Sequence, residues 1–377
     1  MDQLLDQYGQ GIRELLGGYL AATTVNGKIY TVPTIRDLCR GAGINYDVEL
    51  AQECEVDMSQ VKELSDLTPV FEQIQAVKGK DFPCLVNASV GSSFLKNYII
   101  VDALNDSNGV LMNFGLDNTD VTFFEETEVY KEMVTLLASW FKAGYVQKDI
   151  VISQEDKYTM LRQNLGFCYP TNCKPGIANT ASLSVGRLIA NIQMEDYFAT
   201  TAQVASFNFS LAQGCIDQAK AMEFLNALYT DGRIATLLGR GIEGQHYQVL
   251  ENGQIRFPEG VDQSNCTFFP NVTWAVGNQF ATPVWENDPE DIWEQQAAAN
   301  DSAHKSLALG FTFDNSKVAS EVSAVTNVRN EYQNQIENGD CDVDALLPQY
   351  IQALRSAGIE TIIQEKQTQL NHWLANQ

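Results

Sequence analysis

Histidine is nearly absent: His246, His304 and His372 are the only three, with no His-Glu-x-x-His and no second histidine within a helical turn, so a histidine-based metal centre is not expected. The eight cysteines fall at 39, 54, 84, 168, 173, 215, 266 and 341, without the paired Cys-x-x-Cys spacings of zinc sites and too sparse for a disulfide framework. Only Cys168 and Cys173, around a Pro turn, stand close enough in sequence to suggest a local pair. The Gly-x-Ser-x-Gly elbow is missing, and Gly79-Lys80 has neither the upstream Gly nor the following hydroxyl of a phosphate loop. No cofactor and no metal is expected. Basic residues are scarce, 24 against 48 acidic ones, which gives a net charge of -24. Such a surface repels phosphate polyanions, which excludes nucleic acid and anionic lipid as partners. No apolar run approaches the roughly 18 residues of a membrane span, and Met1-Asp2-Gln3-Leu4-Leu5-Asp6 lacks the basic region of a secretion signal.

What is present is an ordinary globular mixture. Hydrophobic residues make 45% and charged residues 19% of 377, enough for two or three domains with their own cores. An apolar helical period runs from Leu4-Leu5 to Tyr19, and Asn26-Gly27 is a turn signal before a short strand, Lys28–Val32, stopped by Pro33. Helices are expected from Ser65 to Lys78, closed by Gly79, and from Glu126 to Lys142, closed by Gly144, with Val129, Met133, Leu136, Leu137 and Trp140 on one face. Phe82–Val86 and Leu165–Tyr169 are expected strands, the second broken by Pro170, with a helix over Glu155–Arg162 between them. Residues 171–200 look irregular. Val204–Phe209 is an expected strand and Asp217–Leu228 a helix capped by Asp217, while the last third is helical over Val318–Tyr332, Leu346–Ala357 and Ile359–Leu374. Residues 100–125 are turn-rich and read as a surface excursion. Strands alternating with long helices give an α/β fold.

So acidic a chain offers two stretches with calcium-loop character. Asp106-Ser107-Asn108-Gly109 has Leu104 where the first ligand must stand, and Asp340-Cys341-Asp342-Val343-Asp344 has Ala345 where the turn demands Gly, so neither fits. The loops are rich in aromatic rings beside amides, at Phe167–Asn172 and Trp274–Phe280, a combination that stacks on sugar faces and bonds hydroxyls. Core packing also explains a tryptophan. Trp274 is open to either role, whereas Trp140, Trp293 and Trp373 lie on apolar helix faces and are expected in cores.

A series of segments then carries a family resemblance: Asn26–Tyr30 with Pro33, Arg36 and Asp37; Ala219–Asn226 followed by Tyr229-Thr230-Asp231; Gly241–Tyr247; Trp274–Phe280; Leu309–Asp314; and Glu365–Trp373. The chain resembles family 1 of the bacterial extracellular solute-binding proteins of ABC transporters, in the subgroup with a C-terminal domain of unknown function. The resemblance implies a two-lobed, type II periplasmic-binding-protein-like α/β fold with discontinuous lobes and a helical C-terminal region, closing on solute by hinge motion. It places residues 1–35 and 204–313 in an N-terminal lobe and 36–203 and 314–377 in a C-terminal lobe. It implies a monomeric, non-enzymatic receptor for an oligosaccharide or similar polar solute, partnered by ABC permease subunits on the extracellular face of the cell envelope. Arg36, Tyr169, Asn172, Asn208, Trp274, Asn278 and Phe313 follow as cleft candidates from their places near the implied crossovers. His246 is expected to fix its own loop. Family members begin with a signal peptide, a lipid-attachment cysteine and a first βαβ portion, and this sequence starts inside that lobe, so a fragment that does not bind is the rival reading. A glycan hydrolase working through two carboxylates is a further one.

Overall fold

A computed structural model describes residues 1–25, 27–263, 265–270 and 272–376. The expected turn residue Asn26 lies outside the described residues. The chain opens with α1 (Asp2–Tyr8) and α2 (Gln10–Leu16), then a 3-10 segment leads to the hairpin strands β1 (Thr24–Val25) and β2 (Lys28–Ile29) and to β3 (Val32–Pro33). Pro33 therefore belongs to a strand instead of stopping one. It is tolerated because β3 is a two-residue edge piece whose antiparallel partner lies on one side only.

From Gly41 the chain builds a second body. It comprises β4 (Gly41–Asp47), α3 (Val48–Glu53), α4 (Leu67–Lys78), α5 (Phe94–Asn97), β5 (Val101–Asp102), β6 (Leu111–Met112), α6 (Glu128–Ala143), α7 (Lys157–Arg162), β7 (Cys168–Cys173), α8 (Ile177–Val185) and β8 (Ile189–Gln193). β4 is the middle strand, antiparallel to both β7 and β8, with Ile44 opposite Pro170 and Ile192. Pro170 does not break β7. The Asp47 N–H to Phe167 carbonyl bond fixes the phase of the ladder, so the Pro170 nitrogen points away from β4, to the side where pairing ends at Val86. The expected strand over 82–86 shrinks to parallel bridges made by Leu85 with Val146 and Cys168.

The chain then returns to the first body with β9 (Phe198–Ala199), α9 (Thr201–Val204), β10 (Asn208–Phe209), α10 (Gln218–Thr230), α11 (Gly232–Gly239), β11 (Gln248–Val249), β12 (Ile255–Arg256), α12 (Ile292–Ser302) and β13 (His304–Lys305). Residues 171–200 are thus ordered rather than irregular, and the strand expected over Val204–Phe209 is a helical turn followed by two strand residues. The helical close is α13 (Ala319–Ile336), α14 (Val343–Ser356) and α15 (Ile359–Leu374).

Local chemistry explains the long helices. Thr127 caps α6 by accepting from the Tyr130 N–H, and Gly144 ends it in the left-handed conformation that a glycine adopts without strain. Asp217 caps α10 through the Lys220 N–H at 2.9 Å. The buried stripe of α6 is Tyr130, Val134, Leu137 and Trp140, so its face is turned by one residue from the expected set and Val129 is exposed. Trp140 lies edge-on to Phe71 at 5.1 Å, a pair worth about 0.5–1.5 kcal/mol beyond its area.

Three cores result. Leu5, Ile12, Leu16, Val32, Met222 and Leu225 centre the first body; Ile44, Phe71, Ile74, Leu137 and Phe167 centre the second. Val325, Ile336, Tyr350, Ile359 and Ile362 close the helical end against α6. Residues 100–125 are not a surface excursion, since Val101, Leu104, Leu111, Phe114 and Val121 are buried. Cys168 and Cys173 are free thiols. They stand at opposite ends of β7, about 16 Å apart at strand spacing, beyond the reach of a disulfide.

Candidate functional site

The chain passes between the two bodies on adjacent strands. Arg40 pairs antiparallel with Phe198, and a Cβ on Gly41 would stand 2.6 Å from the Glu195 carbonyl oxygen, so the strands cross at a distance only glycine permits. A third passage follows β13, where Leu309 belongs to the first core and Phe313 packs on the helical end.

Beside the crossing lies a cavity of ≈ 240 Å³. The second body supplies Ile99, Val101, Ala103, Phe114 and Asn172; the first supplies Phe198, Thr200, Gln203 and Ser206. Its floor is a ring pair, Phe114 stacked on Phe198 with centroids 3.7 Å apart and planes 11° from parallel. Phe114 is held there by a left-handed run, φ 45° at Asn113, 52° at Phe114 and 72° at Gly115. Such strain persists only where packing over-determines it, and it concentrates at functional sites.

The polar atoms of this seam are more telling. Asn172 and Gln203 line the cavity from opposite bodies, and the Asn172 Oδ1 and Gln203 Nε2 atoms are buried without a hydrogen-bond partner. The Arg36 Nε and Gln296 Oε1 nearby are in the same condition. Buried polar groups are almost always satisfied, and a cluster of exceptions marks a place prepared for something else. On its other flank the seam is closed by direct contacts: Lys174 Nζ to Asp37 Oδ2 at 3.1 Å, Asn179 Nδ2 to Asp288 Oδ1 at 2.7 Å, and Gln296 Nε2 to the Pro175 carbonyl at 3.3 Å.

The seven residues expected at the cleft scatter. Asn172 lines the cavity. Arg36 lies behind it, donating to the Gln203 carbonyl and the Ser206 hydroxyl and standing 5.4 Å from the Phe207 ring; burial pushes its pKa down, opposed by Asp37. Trp274 meets Phe207 edge-on at 4.3 Å, so Arg36, Phe207 and Trp274 form one stack on the first body. Tyr169 presents no open face: it is enclosed in a small core and takes a hydrogen bond from Asn45. Asn278 is a local brace, donating to the Tyr229 carbonyl and accepting from the Phe280 N–H. Asn208 is exposed and bonds the Ala205 carbonyl. Phe313 borders a different groove, with α15 and the β1–β2 hairpin. His246 fixes its loop, its Nδ1 accepting from the Ile242 N–H at 2.9 Å. Trp140 is core as expected, and Trp293 and Trp373 are half-buried against Phe280 and Phe311. No group of three or more His, Cys, Asp or Glu residues able to hold a metal occurs among the described residues.

Comparison with known proteins adds three findings. Residues 307–375 match the model of a domain of unknown function, DUF3502. A carbohydrate ABC transporter substrate-binding protein of Streptococcus pneumoniae serotype 4 is 26% identical over 385 residues, spanning 100% of this chain and 76% of that protein. The crystal structure of the N-glycan transport solute binding protein NgtS from the same species superposes with a TM-score of 0.85 at 25% identity, over 99% of this chain and 82% of that one. The chain is thus similar over its whole length to extracellular solute-binding proteins of ABC transporters.

The fold of this chain is the two-lobed α/β type II arrangement, and the relatives are substrate-binding proteins, not enzymes. That sets aside the two-carboxylate hydrolase. NgtS in complex with Man1GlcNAc superposes less closely, with a TM-score of 0.77 at 25% identity over 99% of this chain and 82% of that one. No helix among the described residues is long and apolar enough to cross a membrane. Sequence reasoning missed Gln203, Phe198 and Phe114 as lining residues. Phe198 sits in the segment expected to be irregular and Phe114 in the one expected at the surface, while Gln203 falls between the irregular segment and the expected strand, at the implied return crossover; no spacing in the sequence singles them out.

Proposed function

We propose that this protein is the solute-binding receptor of an ABC importer and takes an oligosaccharide into the seam between its lobes. The observation that carries the reading is a pair of residues, Asn172 and Gln203, that line one cavity from opposite lobes and each hold a buried polar atom, an acceptor and a donor, without a partner. A sugar hydroxyl donates and accepts at once, so one hydroxyl or two neighbouring ones answer both, while the apolar Phe198 and Phe114 floor takes the C–H face of the ring. The cavity is small for a whole oligosaccharide and suits one terminal ring. The remainder would follow the seam past Lys174 and Asn179, whose lobe-to-lobe contacts a solute would replace.

Support comes from the carbohydrate and N-glycan names of the relatives, and from the lower superposition on glycan-bound NgtS, which fits lobes that move on binding. The lobe boundaries lie at the crossing of Arg40 and Phe198, so that 1–39 with 197–309 make one lobe and 41–195 with the helical end the other, a few residues from the expected boundaries at 35/36 and 203/204; the working unit is a monomer, and ABC permease subunits on the outer face of the cell envelope receive the solute. The test is a thermal-shift screen against Man1GlcNAc, larger mannose glycans, other oligosaccharides and short peptides, because a ligand of the folded form raises the melting temperature by mass action. A saturable shift with glycans, lost in Asn172→Ala, is expected. A shift with peptides alone, or with none of the panel, would overturn the reading.

A further inference from the structure

Helix α15 buries a stripe of Ile359, Ile362, Lys366 and Leu370, and the lysine on it is fully enclosed. A buried ammonium is tolerated only when its donors are answered. The Lys366 Nζ bonds the Asp106 Oδ1 and the Gly109 carbonyl oxygen, the latter at 3.2 Å, and stands 5.0 Å from the Phe313 ring on its other side. Asp102, which unlike the half-buried Asp106 is buried, adds its field. These oxygens belong to one short loop, 102–109, whose Leu104, Asn105, Ser107 and Gly109 have φ of 46°, 79°, 61° and 88°. A loop with so many left-handed residues needs a strong internal tie. Arg329 holds its outer side, donating to the Asn108 Oδ1 at 3.2 Å and to the Ser107 carbonyl at 2.9 Å.

Carboxylate and carbonyl oxygens drawn to one point by a tight loop are the donor set of a hard divalent cation. Asp106, Asn108 and Gly109 keep the spacing of such a loop, while Leu104 occupies the place of its first ligand. The positive charge at the centre is supplied from 260 residues away.

We propose that the Lys366 ammonium is a tethered cation, standing where a divalent metal would bind the 102–109 loop, and that it thereby positions the wall of the solute cavity. Val101 and Ala103 on that wall adjoin the loop, and β6, which follows it, leads directly to Phe114. Lys366 is a positioning residue; it does not border the cavity itself. The positioning half of the proposal rests on the reading of the cavity given above, and the cation half does not.

The experiment compares the full chain with Lys366→Met by thermal unfolding in EDTA, in magnesium and in calcium. The parent protein is expected to melt alike in all three. Lys366→Met should melt lower in EDTA and rise saturably with calcium, and Leu104→Asp in that background should bind calcium at least tenfold more tightly. Should Lys366→Met not fold in EDTA, refolding on addition of calcium supports the proposal, and failure to refold overturns it. Lys366→Met with Asp106→Leu, which removes both charges, should fold and ignore calcium; a calcium response there overturns the assignment. So would a parent protein that needs calcium, or a Lys366→Met variant as stable as the parent or indifferent to calcium. Man1GlcNAc affinity is read separately on the same samples, expected to fall in Lys366→Met and recover with calcium. A calcium response in melting without any glycan binding leaves the tethered cation standing and removes only its link to solute.

Discussion

Replacing Gln203 by methionine should make this protein more stable and a poorer receptor at the same time. The Gln203 Nε2 is buried beside the cavity without a partner, and leaving a buried donor unsatisfied costs about 1–3 kcal/mol. Methionine has the same reach and no donor, and a near-isosteric exchange of this kind costs below about 1.5 kcal/mol in repacking. The balance is a gain of roughly 1 kcal/mol in the unfolding free energy without solute, from removing the desolvation penalty. With solute bound, the variant loses one hydrogen bond, about 0.5–1.5 kcal/mol, which weakens binding roughly two- to tenfold. Urea unfolding followed by tryptophan fluorescence gives the first quantity, and calorimetric titration with Man1GlcNAc the second. A variant less stable than the parent would show that the amide already has a structural role, and the argument from unpartnered atoms would fall for this residue.

Two further predictions test the hinge and a helix cap. Gly41→Ala should lower stability by about 1–3 kcal/mol, as overpacking does, because its Cβ meets the Glu195 backbone oxygen at 2.6 Å and the crossing strands must part by most of an ångström; an unfolding curve unchanged from the parent would refute the close crossing. Asp231, which caps α11 and is paired with Arg233 at 2.6 Å, has its pKa lowered to about 2 by the Arg233 side-chain and backbone hydrogen bonds. Its contribution is whole above the ordinary value of 3.8 and is lost as pH falls through about 2. The stability of Asp231→Asn should accordingly fall less steeply than that of the parent between pH 4 and pH 2, and parallel slopes in acid unfolding would contradict this.

Helices that carry their own punctuation were readable from the amino acids alone. Gly79, Gly144 and Gly358 mark ends or beginnings of α4, α6 and α15, and Asp217 marks the start of α10, because each acts through local backbone chemistry. What depends on distant chain was not readable. Whether Pro170 breaks a strand depends on which side its nitrogen faces, and that is decided by β4, more than a hundred residues earlier. The turn-rich 100–125 segment is buried because α15 comes back to cover it, and Lys366 looks like a surface residue until Asp106 is placed beside it. At the site, Asn172 could be chosen as an amide near aromatic rings. Tyr169 could not be told from it, because alternation along β7 sends these two positions, three apart, to opposite faces of the sheet.

The order in which the chain visits its two bodies bears on how it reaches them. Residues 1–39 share a core with residues 197–309, and the loop at 102–109 waits for a helix ending at Leu374. Neither half can be finished on the ribosome before almost the whole polypeptide has been made. Contacts so far apart in sequence form slowly, since the closure entropy of long loops must be met before they reward folding. The core of the second body draws on residues 42–194 alone and can assemble first, while the first body, begun earlier, waits for residue 309, so the body whose residues appear first closes later.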